Sequence, residues 1–243
     1  MNRISSKICL FILITLLLLT GCRNQTPESE EASMGLIKNE NSPLTYILPS
    51  PETVGSVSVE EALANRRSHR NFADKALSAE QLSQILWAAY GISDGSRLRT
   101  TPSAGALYPL EIYAVIGNVT GIEAGVYKYD ALEHKIIRTM DGDLREELSA
   151  AALNQKMIKE APITVVYTAV FSRITERYGE RGRERYVFME IGHSAQNVYL
   201  QAEALGLGTC AVGAFTDSRV SELLELPTEE EPFYLMPVGY LAR

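Results

Sequence analysis

The run Pro162-Ile163-Thr164-Val165-Val166-Tyr167-Thr168-Ala169-Val170-Phe171 is rich in β-branched and aromatic residues, and its length predicts a central strand of a sheet. Downstream lies the longest helical pattern in the chain. Ile191, Ala195, Val198, Ala202 and Leu205 step by four and three, and Gly206 closes the run, so this helix buries a long seam against protein. Upstream, Ser58-Val59-Glu60-Glu61 and Ser78-Ala79-Glu80-Gln81 have the capping-box form and each should open a helix. The second continues with Leu82, Ile85, Leu86, Ala89 and Tyr90 on one stripe and stops at Gly91. Glu111 to Ile116 predicts a strand, and Val126 to Tyr129 with His134 to Arg138 predicts a hairpin. A helix capped by Asp143 runs to Leu153, a short one covers Asp217 to Leu224, and a final strand covers Phe233 to Leu241. Strands mixed irregularly with helices predict an α+β fold, with a mixed, mainly antiparallel sheet flanked by helices.

The 243 residues suit one ordinary domain, and 46% hydrophobic against 22% charged residues is a globular composition. Twenty-three Lys and Arg against 30 Asp and Glu give a formal charge of −7, which offers no broad cationic field to a nucleic acid. A basic cluster in such a chain is local and suits a small anion better than a duplex.

The N-terminus reads as an export signal. Arg3 and Lys7 precede the apolar run Ile8 to Leu19, which is shorter than the roughly 20 residues of a spanning helix. It ends in Leu18-Leu19-Thr20-Gly21-Cys22, which resembles a bacterial lipobox, so residues 1–21 are expected as a lipoprotein signal and Cys22 as the lipid attachment site. An uncleaved anchor is the alternative. Either way the remainder belongs outside the cytoplasm, in the cell envelope and held at the membrane. Residues 22–53, acidic at first and then broken by Pro43, Pro49 and Pro51, read as a disordered tether, and the folded domain is expected over 54–243. Cys210 is then the one cysteine of the domain, set among small and apolar residues as buried structural cysteines are.

Three segments bear on chemistry. Arg66, Arg67 and Arg70, with Ser68 between them, put three cations and a hydroxyl at a helix end, where they could close on one phosphate or form a solvated basic rim. Pro102-Ser103-Ala104-Gly105-Ala106-Leu107 places small side chains in a proline-bounded loop, which a flat ligand could approach closely or which could be an ordinary turn. Val212-Gly213-Ala214 offers backbone N–H groups to an electron-rich ring edge, or forms a tight core strand. No dinucleotide glycine fingerprint, Walker loop, metal-binding HExxH or CxxC pair occurs.

Together these segments, with Gly192-His193-Ser194-Ala195-Gln196-Asn197 and Pro237-Val238-Gly239-Tyr240, resemble the flavin-binding nitroreductase family, and within it the SagB-type branch, whose best-known members oxidise azolines in ribosomally made peptides. The resemblance spans nearly all of residues 57–243. It implies a dimeric fold with FMN at a homodimer interface, its phosphate on Arg66, Arg67, Ser68 and Arg70. Pro102 to Leu107 would border the ring and ribityl chain, and Val212, Gly213 and Ala214 would lie over the ring's N5 side. Arg243, past the last strand, stands where members often carry a further basic residue. The resemblance implies an FMN-dependent oxidoreductase that serves a small-molecule donor and an acceptor such as a quinone or nitro compound. The alternative is a lipoprotein that keeps the flavin fold as a non-enzymatic binding module. Azoline oxidases of this branch use a Lys-Tyr pair, whose counterpart here is Arg177-Tyr178. Tyr178 is thus the candidate catalytic residue, while a guanidinium at Arg177 stays charged and cannot abstract a proton; the alternative is that Arg177, among Arg173, Glu176, Glu180, Arg181 and Arg183, belongs to a solvated charged helix. His193 on the long helix is expected to be buried.

Overall fold

The computed structural model describes residues 35–37 and 43–242. Among the described residues eight strands form one sheet: β1 Gly35–Ile37, β2 Thr45–Ile47, β3 Leu110–Ile116, β4 Gly125–Asp130, β5 Lys135–Asp141, β6 Ile163–Val170, β7 Gly208–Thr209 and β8 Glu230–Gly239. Their order across the sheet is β1-β2-β5-β4-β3-β6-β8-β7. The run that predicted a central strand is β6, buried at every position and flanked by β3 and β8. The sheet is mainly antiparallel, as expected: every ladder between these strands is antiparallel, and among the described residues parallel pairing is confined to the isolated bridges Ser68 to Thr209 and Leu77 to Val119.

Helices cover both faces, because the period of two along β3 and β6 sends alternate residues to opposite cores. Ile112, Ala114, Val165 and Tyr167 meet α2 (Ala79–Tyr90) and α6 (Val187–Ala204). Tyr113, Val115 and Val166 meet α3 (Arg145–Ala151), α4 (Lys156–Glu160) and α7 (Asp217–Leu223). The predicted seam of α6 is real: Ile191, Ala195, Val198 and Ala202 are buried. That seam is filled by the sheet and α2 of the same chain, so its length alone asks for no second copy.

The capping signals hold to different degrees. Ser78 and Gln81 exchange both bonds of a capping box at α2, whereas at α1 (Val59–Asn65) only Ser58 accepts, from the Glu61 N–H. Asp143 is not the cap of α3; that position is Leu144, and the Asp143 carboxylate instead accepts the Arg145 N–H at 3.2 Å and pairs with its guanidinium.

The expected tether over 22–53 is corrected where the structure describes it. Leu44, Tyr46 and Leu48 are buried in the α2/α6 core, β2 pairs β5 and β1 pairs β2, so the folded unit begins before Val54. The prolines bound β2 and do not break it, as proline at a strand margin leaves its ladder intact. Gln84 on α2 then straps the chain down, its Oε1 accepting the Glu52 N–H at 2.9 Å and its Nε2 donating to the Glu52 carbonyl at 3.0 Å. The predicted signal, Cys22, residues 22–34 and 38–42 of the tether and Arg243 lie outside the described residues.

Candidate active site

The arginine segment leaves the end of α1 in extended conformation and runs beside β7. Ser68 bridges Thr209, and the His69 N–H donates to the Thr209 carbonyl at 2.9 Å. Its anchor is Tyr199 on α6. The Tyr199 hydroxyl lies 3.0 Å from Ser68 Oγ and accepts the Ala211 N–H at 2.7 Å, so one phenol ties the arginine segment to the segment after β7. The Arg66 guanidinium stands 5.1 Å from the centre of the Tyr199 ring. Arg70 lies near Cys210, where its charge partly offsets the burial that raises the thiol's pKa. Among the described residues, neither Arg66 nor Arg70 pairs with a carboxylate. A half-buried cation at Arg66, an exposed one at Arg70 and a hydroxyl, without a counterion, fit a phosphate. Arg67 departs from the expectation: its Nη1 donates to the carbonyls of Ala64 at 3.0 Å and Arg66 at 2.8 Å, closing the helix end.

In the neighbouring segment Val212 is buried and exchanges both backbone bonds with Leu235, so its N–H is not open to a ligand. This corrects the assignment at Val212 to a packing role. Gly213 and Ala214 are exposed, and within the described residues their N–H groups donate to nothing. Cys210 is fully buried, with Sγ 3.9 Å from Met157 Sδ, as a structural thiol would be.

The proline-bounded loop is held from below by two helices. Asn197 on α6 donates to the Thr100 carbonyl and to Thr101 Oγ1, both at 3.2 Å, and Thr101 in turn donates to the carbonyl of Ala89 near the end of α2 at 2.8 Å. Ala104–Ala106 makes a tight turn in which Gly105 has φ +63°, left-handed backbone that glycine adopts without strain. Ser103 Oγ accepts the Tyr108 N–H at 3.0 Å and closes the turn. Under it lies a buried polar group: the Tyr90 hydroxyl donates to Glu190 Oε1, and the Arg99 guanidinium stacks 4.2 Å from the Tyr90 ring centre. Burial holds the Glu190 carboxyl above the usual carboxylate range, against the opposing pull of the Ser103 and Tyr90 hydroxyls and of Arg99. Burial and then the Glu190 charge push the Tyr90 phenol well up.

Tyr178 sits at this loop. Helix α5 (Ser172–Tyr178) brings its hydroxyl and the Arg177 guanidinium over Gly105; a Cβ built on Gly105 would lie 2.8 Å from Tyr178 OH and 3.3 Å from Arg177 Nη1. His193, expected to be buried, is exposed on α6. Tyr199 is the residue sequence reasoning passed over, since an aromatic at helical spacing beside an apolar seam reads as core.

Glu190, under the loop, and Tyr199, at the arginine segment, are nine residues apart on α6, about two and a half turns, so they project to opposite flanks of the helix. Between residues 52–59, α1, α2 and α6 runs a groove of about 900 Å³ that reaches Thr100 and Asn197. Among the described residues, no group of His, Cys, Asp or Glu is placed to hold a metal ion, and no helix is long and apolar enough to cross a membrane.

The chain is similar to several known proteins. A protein of Methanocaldococcus jannaschii classed with the nitroreductases is 48% identical over 186 residues, 76% of this chain and 92% of its own. An NADPH-dependent FMN reductase of Bacillus subtilis is 24% identical over 75% of this chain and 65% of its own. Among solved structures, a Ralstonia eutropha protein classed as a nitroreductase superposes with a TM-score of 0.72 at 26% identity, over 87% of this chain and 99% of its own. A chain of the Escherichia coli microcin synthetase McbBCD complex reaches 0.64 at 27% identity, over 80% of this chain and 77% of its own. The nitroreductase family profile matches residues 63–240, a span that opens just before the arginine segment and closes at the end of β8, and the chain therefore belongs to the nitroreductase family.

Proposed function

We propose that this protein is an FMN-dependent oxidoreductase of the SagB-type branch that passes electrons to a small organic acceptor such as a quinone or nitro compound. The observation that carries the reading is the junction at Tyr199. One phenol holds Ser68 beside the Ala211 amide; Arg66 and Arg70, on either side of Ser68 in the chain, have no carboxylate partner among the described residues, and Gly213 and Ala214, just past Ala211 in the chain, keep open N–H groups. Paired guanidinium groups and a hydroxyl suit one terminal phosphate, and exposed N–H groups suit the electron-rich edge of a flat ring. Bound FMN would supply two-electron transfer, while the residues of this chain bind and orient it and the acceptor. The FMN reductase among the relatives supports flavin chemistry, and the lack of a dinucleotide glycine fingerprint favours a mononucleotide.

The opposite flanks of α6 support a homodimer. A flavin in contact with both the arginine segment and the proline-bounded loop takes one from each of two copies. The α6 face between those flanks, where Gly192 and His193 are exposed, is where the second copy would lie.

Absorbance in the flavin bands of purified protein, followed by anaerobic reduction with an artificial donor and reoxidation by a quinone or nitroaromatic, tests the reading. Each quinone should take up two electrons and two protons to give hydroquinone. Protein that carries flavin but never passes electrons to either acceptor would be a binding module instead. Thiazoline peptides should remain unoxidised, because a guanidinium at Arg177 stands in place of the lysine of the azoline oxidases' Lys-Tyr pair; thiazole formation at a comparable rate would overturn that. Acylation at Cys22 would hold the enzyme at the membrane outside the cytoplasm. Labelled fatty acid should enter the wild type and not Cys22→Ala, and equal labelling would remove the anchor.

A further inference from the structure

Gly105 reports a close approach. Its left-handed φ admits glycine, and the space a Cβ would fill is bounded by the Tyr178 hydroxyl and the Arg177 guanidinium, which converge there from the last turn of α5. Of the four neighbouring arginines of that stretch three are engaged, while Arg185 has no carboxylate partner among the described residues. Arg173 donates to Glu111 and to the Tyr108 carbonyl, Arg183 pairs with Glu231 at 2.9 Å, and Arg181 Nε donates to the Tyr186 hydroxyl at 3.0 Å. Arg177 is exposed and lies against the Tyr178 ring at 5.5 Å, with no carboxylate partner among the described residues. Glu180, three positions on, would be its natural helical partner, but Gly179 at φ +59° turns the chain out of the helix before it. An acidic chain of net charge −7 thus keeps one unpaired guanidinium and one phenol together over the loop.

We infer that the acceptor is an anion, a flat ring bearing a carboxylate, which Arg177 grips through its forked donors while the Tyr178 hydroxyl makes the second contact. This rests on the loop being part of the flavin site proposed above. A guanidinium suits the role because it stays charged at any working pH and meets a carboxylate through two parallel bonds. A neutral ring of the same shape loses those bonds and leaves Arg177 as it is in the free protein, so the preference is for the charge and not for the ring.

The test titrates the protein, loaded with FMN, with benzoate and with benzamide by calorimetry. Benzoate should bind at least tenfold more tightly than benzamide. Arg177→Gln should weaken benzoate about ten- to hundredfold, the range of charge-assisted hydrogen bonds, and leave benzamide unchanged. Arg177→Lys should restore part of the difference, because it keeps the charge and loses the fork. Equal binding of the two probes, or a preference that survives Arg177→Gln, overturns the inference. The flavin absorbance of the same samples reads the functional proposal separately. Flavin bound without a carboxylate preference sinks the inference alone, and a carboxylate preference in protein that takes up no flavin sinks the functional reading.

Discussion

Replacing Tyr199 with Phe removes one oxygen and two contacts, and the structure sets the size of the effect. Ser68 Oγ at 3.0 Å is exposed, so its hydroxyl turns to water and little is lost, about 0.5 kcal/mol. The Ala211 N–H at 2.7 Å is half-buried, and without the phenol it has no acceptor, which costs about 1–2 kcal/mol. The ring remains, and with it the Arg66 stacking at 5.1 Å. The sum is about 1.5–2.5 kcal/mol, which for a domain of 150–250 residues lowers Tm by roughly 3–10 °C. Denaturant unfolding of the flavin-free protein measures it, and a cycle with Ser68→Ala should show coupling of about 0.5 kcal/mol or more. FMN affinity should also fall, since the arginine segment and the 211–214 segment are no longer held in register. A Tyr199→Phe variant within about 0.5 kcal/mol of wild type, additive with Ser68→Ala, would mean that the phenol does not join the two segments.

Arg66→Ala and Arg70→Ala should each weaken FMN about ten- to hundredfold by fluorescence titration, whereas Arg67→Ala, which loses a helix-end contact, should stay within about threefold. Gly105→Ala puts a Cβ into left-handed backbone at about 1–2 kcal/mol and pushes the Tyr178 hydroxyl aside; unchanged unfolding stability would show that the turn is not left-handed. Glu190→Gln tests the buried carboxyl through pH. A carboxyl raised above 4.5 in the native state holds its proton more tightly there than in the unfolded chain, so its stabilising contribution is full below 4.5 and is lost as pH climbs through the folded value. The glutamine variant should therefore gain stability relative to wild type between pH 4.5 and neutrality, and parallel pH profiles would contradict this.

Much of the architecture was legible because periodicity is long-range along the chain. Pro162 to Phe171 read as the central strand, and the four-and-three stepping from Ile191 read as the long buried helix, since each repeats one signal many times. Short elements were not. Leu44, Tyr46 and Leu48 alternate over only five residues between Pro43 and Pro49, so the prolines outweighed a pattern that only pairing with β5 makes stable. α4 is too short to show a helical period at all. At the site, residue type singled out Arg66, Ser68 and Arg70 as candidates for a phosphate, but did not show that Arg67 would turn back onto the α1 carbonyls, because neighbours in sequence share composition and not direction. Val212 was read as facing a ligand, and its N–H is spent on Leu235, a partner more than twenty positions away. Tyr199 was missed for the same reason: its meaning lies in Ser68 and Ala211, which only the folded chain brings to it.

The claim at the centre is that Arg66, Ser68 and Arg70 hold the terminal phosphate of a flavin mononucleotide. Equilibrium titration of flavin-free protein with FMN and with riboflavin, which differ by that phosphate alone, tests it most directly. The account predicts one FMN per chain and riboflavin at least about tenfold weaker, a gap that Arg66→Ala and Arg70→Ala each shrink. Equal affinity for the two flavins, or no binding of either, would contradict it.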